Sequence, residues 1–111
     1  MLGGHIIQFE NFFEQSGGIA GLSKKINLDT SSLPSSEVQQ VQSMVDNSNF
    51  YELPNNTGQP DPNAADYLKY KITLESEDGR KHTVETTDIT TPAALSPFVG
   101  YLRKKIQEQR R

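Results

Sequence analysis

Between residues 67 and 75 the chain alternates without a fault. Leu68, Tyr70, Ile72 and Leu74 hold one parity; Lys69, Lys71, Thr73 and Glu75 hold the other. A period of two is the spacing of a strand buried on one side. Asp78-Gly79 follows as a turn signal. His82, Val84 and Thr86 then return on one face, with Thr83, Glu85 and Thr87 on the other, which predicts a hairpin. A rougher version of the pattern opens the chain. In residues 5–15, Ile7, Phe9 and Phe13 share one parity and Ile6 and Phe12 the other, and the pattern breaks at Asn11. The break predicts a bulge or a partly two-sided burial. Ser16-Gly17-Gly18 is predicted to turn the chain, because glycine reaches positive φ without steric cost. From Ala20 the alternation is clean: Ala20, Leu22, Ile26 and Leu28 on one side, with Lys24 the exception, and Gly21, Ser23, Lys25 and Asn27 on the other. This is the second strand of another hairpin.

After each hairpin the period changes to that of a helix. Asp29–Ser32 is a polar loop, Pro34 suits the first helical position, and Glu37 falls in the first turn, where negative charge is favoured. Val38, Val41, Met44 and Val45 form a stripe over about three turns. Asp46-Asn47-Ser48-Asn49 ends it, and Phe50, Tyr51 and Leu53 are predicted to dock the chain onto the core. Residues 54–63 hold three Pro and no apolar residue, so a mobile surface loop is predicted at 54–64. Residues 88–95 form a linker with Pro92. Ser96 can cap and Pro97 can start a last helix, whose apolar stripe is Leu95, Phe98, Val99, Leu102 and Ile106. The plan is α+β: a single domain over 5–111, with a mainly antiparallel four-stranded sheet of two hairpins, two helices packed on one face, and a flexible N-terminal segment at 1–4.

Composition narrows the chemistry. The 111 residues contain no Cys, which removes disulfides, thiol catalysis and Cys-ligated zinc. His5 and His82 lie far apart, and no metal motif is present. The longest apolar run is Ala93-Ala94-Leu95, so nothing is predicted to span a membrane. No Sec-type signal opens the chain, and a cytoplasmic protein is expected. Residues 103–111 carry five cations against Glu108, a local +4, which leaves −7 for residues 1–102 out of a net −3. The cluster suits the C-terminal end of a helix dipole, and the acidic body would repel a phosphate backbone. No nucleic-acid partner is expected. Catalysis needs a nucleophile beside a base, a metal, or carboxylates with displaced pKa values. Ser16-Gly17-Gly18 is not a nucleophile elbow. His82 alternates inward beside Val84 and reads as a half-buried, hydrogen-bonded histidine rather than a base. The carboxylates Glu10, Glu14, Glu37, Glu52, Glu75 and Glu85 stand singly. Gly17-Gly18-x-x-Gly21 lacks the lysine of a phosphate loop. Asn55-Asn56-Thr57 matches a glycosylation sequon, which means nothing without a secretory route. The chain therefore reads as a binding protein and not an enzyme, with no cofactor and no metal.

Two segments suit binding. Met1, Leu2, Gly3 and Gly4 form an uncharged stretch leading into the first strand. In Ser16-Gly17-Gly18-Ile19-Ala20-Gly21, Ile19 stands among small residues and can serve as an exposed anchor. The plainer alternatives are an ordinary frayed terminus and an Ile19 that covers the edge of the core.

The order of these residues carries a resemblance. Ser16-Gly17-Gly18-Ile19-Ala20-Gly21 follows an apolar strand. Then come Leu28-Asp29, Leu33-Pro34, Phe50-x-x-Leu53-Pro54, Asp66-x-x-x-Tyr70-x-Ile72, Gly79-x-x-His82-Thr83-Val84 and Pro92-x-x-Leu95. Over residues 7–106 the chain resembles the emfourin family, small bacterial inhibitors of protealysin-type, thermolysin-like zinc metalloproteases. The resemblance implies non-covalent inhibition of such a protease by occupation of its active-site cleft. Those clefts prefer a bulky apolar residue just after the scissile bond. The expectation is that Leu2 fills that pocket and the turn at Ile19 docks beside it. The contact residues would then be Met1, Leu2, Gly3, Gly4, Ser16, Gly17, Gly18, Ile19, Ala20 and Gly21, on a monomer. The competing expectation is a non-catalytic interaction or adaptor domain that binds an unrelated partner, for instance through the basic last helix.

Overall fold

The computed structural model describes residues 9–17, 23–58 and 67–108. Four strands, β1 (Phe9–Gly17), β2 (Lys24–Asp29), β3 (Leu68–Ser76) and β4 (Lys81–Thr87), form one sheet in the order β2-β1-β3-β4. Every neighbouring pair is antiparallel. Two helices, α1 (Ser35–Ser48) and α2 (Ser96–Glu108), pack on one face. The expected α+β plan is the observed one. The two hairpins join through their first strands, which makes β1 and β3 the central pair.

The β1–β3 register runs unbroken from Phe9 opposite Ser76 to Gly17 opposite Leu68, so no bulge interrupts β1 at Asn11. Asn11 instead faces the core between Leu28 and Leu74. It is 1% exposed, and neither its Nδ2 nor its Oδ1 has a partner. The reason lies in the period. A one-residue shift after Asn11 would turn Phe13 outward. Burying a Phe is worth about 2–3 kcal/mol, and the deeply packed Phe13 has Tyr70 stacked beside it with ring centres 5.8 Å apart. An orphaned amide costs about 1–3 kcal/mol. Straight pairing keeps both Phe9 and Phe13 in the core at the cost of one amide, and it leaves Phe12 outside at 39% exposure.

Ser16 and Gly17, expected within a turn, are strand residues paired with Lys69 and Leu68 of β3. The β1–β2 register closes at Gln15 opposite Lys24. At the other end, Thr30 extends the join: the Phe9 N–H donates to its Oγ1 at 2.9 Å. Pro34 sits one position earlier than expected, at the N-cap of α1, where its carbonyl accepts from the N–H of Val38 at 3.0 Å. The helix has 14 residues, about four turns rather than three. It ends at Asn49, whose φ of 51° lies in the left-handed region that Asn tolerates better than most residues. A 3-10 turn at Phe50–Glu52 then drives Phe50 into the core, edge-on to Phe98 with ring centres 6.4 Å apart. Residues 55–57, the start of the expected loop, are tied to the outer edge of β4. The Glu85 N–H donates to the Asn55 carbonyl at 2.7 Å, and the Thr57 N–H donates to the Glu85 carbonyl at 3.1 Å. Residues 59–64 of that loop lie outside the described residues. The edge strands are thus β2 and β4, and the lysines on an edge strand are Lys24 and Lys25 of β2 and Lys81 of β4. Lys69 and Lys71 lie on the central strand β3.

The helices are clamped together by one carboxylate. Glu37 Oε2 accepts from the Tyr101 hydroxyl at 2.6 Å and pairs with Lys105 Nζ at 2.5 Å; Lys105 also lies 3.5 Å from Glu108. The Lys105 ammonium first, and the Tyr101 hydroxyl second, hold the Glu37 carboxyl below its ordinary value. Burial, and then the Glu37 contact, push Tyr101 up.

Two stability measurements follow. Glu37→Gln is expected to lower unfolding free energy at neutral pH by about 1 kcal/mol in urea titrations. Because folding depresses the Glu37 pKa, its contribution is complete above the unfolded value of 4.5. The gap between wild type and variant should therefore close as pH falls through the folded-state value. Asn11→Val is expected to raise stability by roughly 1–2 kcal/mol, because it removes the orphaned amide and adds a strand-favouring side chain. A loss of stability in that variant would show that the amide has a partner.

Candidate functional site

The helices cover one side of the sheet, so the free surface of the strands is the opposite side. Glu10, Phe12, Glu14 and Ser16 of β1 point there, flanked by Lys25 and Asn27 of β2 and by Lys69, Lys71, Thr73 and Glu75 of β3. The polar groups around Phe12 are mostly engaged with one another. Asn27 Nδ2 donates to Glu10 Oε2 at 3.4 Å, Ser23 donates to Glu14 at 3.2 Å, and the Thr73 and Thr83 hydroxyls meet at 2.8 Å. Two depressions adjoin on this face. One, of about 530 Å³, surrounds Phe12 with Lys25, Asn27 and Thr73. The other, of about 220 Å³, holds Ser16, Tyr67, Lys69 and Glu85. Glu14 and Lys71 line both, so the two form one groove running towards the Ser16 end of β1.

Of the ten expected contact residues, Ser16 and Gly17 are described. Met1, Leu2, Gly3, Gly4, Gly18, Ile19, Ala20 and Gly21 lie outside the described residues. Ser16 lines the smaller depression. Gly17 has φ +98°, and a Cβ built there would stand 2.8 Å from the Tyr67 carbonyl oxygen. Its glycine is therefore demanded by the approach of β1 to the start of β3. The structure does not bring the two expected segments together at their points of attachment. Residues 1–8 join β1 at Phe9, and residues 18–21 leave it at Gly17. Nine residues of strand lie from one to the other, about 27 Å at strand rise.

Sequence reasoning missed Phe12 and Ile89, the exposed large apolar side chains among the described residues, at 39% and 57%. The signal for Phe12 was present in its outward parity with Glu10 and Glu14. Ile89 follows Asp88, whose carboxylate accepts from the Leu68 N–H at 3.1 Å. Leu68 in turn pairs with Gly17, so Ile89 belongs to the same end of the sheet as Ser16.

The other chemical candidates are engaged in structure. His82 is half-buried, as expected: its Nε2 lies 2.7 Å from the Leu53 carbonyl, and its ring stands edge-on to Phe50 at 5.6 Å. Among the described residues no three His, Asp or Glu side chains gather where a metal ion could sit. No helix among them is long and apolar enough to cross a membrane.

The arrangement is that of a small α+β domain: a sheet backed by helices, with its other face open and no assembled reaction centre among the described residues. A family model, Emfourin, matches residues 13–103. The chain belongs to the emfourin family. Comparison with curated proteins and comparison with solved structures each returned no match. Family membership is consistent with a protease-inhibitor role and suggests a protease as partner, rather than an enzymatic activity of its own.

Gly17→Ala is expected to destabilise the fold by about 1–3 kcal/mol in thermal or denaturant unfolding, through positive φ and the collision with Tyr67. Gly79→Ala is the comparison: its φ is also positive, at 93°, but the space around it is open. The Gly17 variant should be the more damaging of the two.

Proposed function

We propose that the protein is a non-covalent inhibitor of a thermolysin-like, protealysin-type zinc metalloprotease, and that it acts by covering the active-site cleft. The observation that carries this reading is the family match over residues 13–103. The contact residues we propose are Met1–Gly4, with Leu2 in the apolar pocket of the cleft, and Ser16–Gly21, with Ile19 as anchor. The local structure supports the second group. Ser16 and Gly17 are held by pairing to β3, so the segment that follows starts from a rigid strand end. A contact segment anchored in this way loses less freedom on binding.

The adaptor reading through the basic last helix has less to stand on. Lys105 is occupied by Glu37 and Glu108, and Arg103 lies over the Tyr70 ring at 5.9 Å.

Titration of a protealysin-type enzyme with the protein, using a peptide substrate, is expected to abolish activity near one-to-one and to spare a serine protease. Deletion of residues 1–4, Leu2→Ala and Ile19→Ala are each expected to weaken inhibition by roughly 2 kcal/mol, about thirtyfold. The two groups attach at opposite ends of β1, so their effects should add when combined. Unchanged inhibition in all three variants would remove these segments from the interface. No inhibition by the wild type at micromolar excess would overturn the function itself.

A further inference from the structure

Single apolar side chains on a surface are ordinary, so neither Phe12 nor Ile89 means much alone. Their placement relative to one strand end is what matters. Phe12 lies four residues along β1 from Ser16 on the same open face, about 13 Å away. Ile89 follows Asp88, which is bonded to Leu68, the residue opposite Gly17. That places it about two strand spacings, or 10 Å, to the side. A stable protein interface buries about 800 Å² on each partner, the area of a disc of roughly 16 Å radius. An interface of that size takes about 20–30 residues a side, more than the six expected at the Ser16 end. An interface centred there must spread over neighbouring surface. The core side of β1 is closed by the helices, with Phe9 and Phe13 buried beneath them. The route left along β1 is the open face, towards the end where residues 1–8 attach.

We propose that Phe12 and Ile89 are further contact residues for the target metalloprotease, which lies on the open sheet face and on the rim formed by the start of the β4–α2 linker. The proposal rests on the inhibitor reading above and extends its surface. Phe12 supplies an aromatic anchor in a groove rimmed by Lys25, Asn27, Lys71 and Thr73, which is the anatomy of an interface with an apolar centre and a polar rim. Ile89 supplies a second apolar contact on the far side of Gly17. Glu14 and Lys71 connect the Phe12 groove to Ser16 without a break.

The test is the inhibition constant against a protealysin-type enzyme for wild type, Phe12→Thr, Ile89→Ala and the double variant. Lys104→Glu on the exposed side of α2 serves as the control. Threonine suits an exposed strand position, and thermal unfolding of each variant verifies that the fold is kept. Each single variant is expected to weaken inhibition by about tenfold. The two side chains lie far enough apart for their effects to add, so the double variant should lose roughly a hundredfold. The control should stay within twofold of wild type. Inhibition by wild type together with unchanged constants in all three Phe12 and Ile89 variants would overturn this proposal and leave the inhibitor function standing. A wild type that does not inhibit would remove both. Sedimentation of the free protein covers the remaining occupant. Self-association that Phe12→Thr dissolves, with inhibition unchanged, would assign the face to a second copy of the chain and overturn the proposal.

Discussion

The molecule is organised by the nine-residue antiparallel pairing of β1 with β3. It joins two hairpins that are separate in sequence, and it fixes which side of every strand faces the helices. Side chains alternate with a period of two, so the pairing leaves no local freedom. Once Phe9 and Phe13 are committed to the core, Asn11 must follow them inward and Phe12 must stay out. The orphaned amide and the exposed ring are two consequences of one register. The free energy of the core, roughly 2–3 kcal/mol for each buried aromatic ring, outweighs the cost of the amide.

The same pairing shapes the surface available to a partner. With β1 and β3 in the centre, the helices cover one face of both, and Glu37 ties α1 to α2 through Tyr101 and Lys105. That clamp takes up a cation of the C-terminal basic cluster that could otherwise suggest a polyanion site. The opposite face is left open, with Glu10 held by Asn27 and the Thr73 and Thr83 hydroxyls joined across strands beside Phe12. Residues 55–57 cap one edge of the sheet at Glu85, while β2 keeps its outer edge free among the described residues and carries Lys24 and Lys25. Lysine on an edge strand opposes pairing with another chain. The open face has an apolar side chain, Phe12, at its centre, and it is continuous with the strand end at Ser16.

Much of this was legible in the residues. The faultless alternation of β3 and β4, the Asp78-Gly79 turn, the two helical stripes and the inward His82 all appear where the periodicities place them. Each is a local pattern whose meaning depends on near neighbours. The order of motifs also pointed to the emfourin family, whose model matches most of the chain. Two readings of the first strand went astray for a tertiary reason. Asn11 looked like a bulge because a polar residue interrupts an apolar parity. Ser16 and Gly17 looked like a turn because glycines favour one, but β3 extends past β2 and pairs with them. Nothing local reveals strand order, so no pattern within β3 shows that Lys69 and Lys71 lie on a central strand.

By itself the sequence determined the elements, the faces they bury and the family, since amphipathic period and motif order are written along the chain. Only the tertiary structure decided which strands are central, that Gly17 is demanded by the Tyr67 carbonyl, that Phe12 stays out on the open face, and that Ile89 borders the strand end at Ser16. Those facts depend on contacts between residues up to about seventy positions apart, and such contacts are set by the joint packing of both hairpins against both helices. No periodicity within a single segment encodes them.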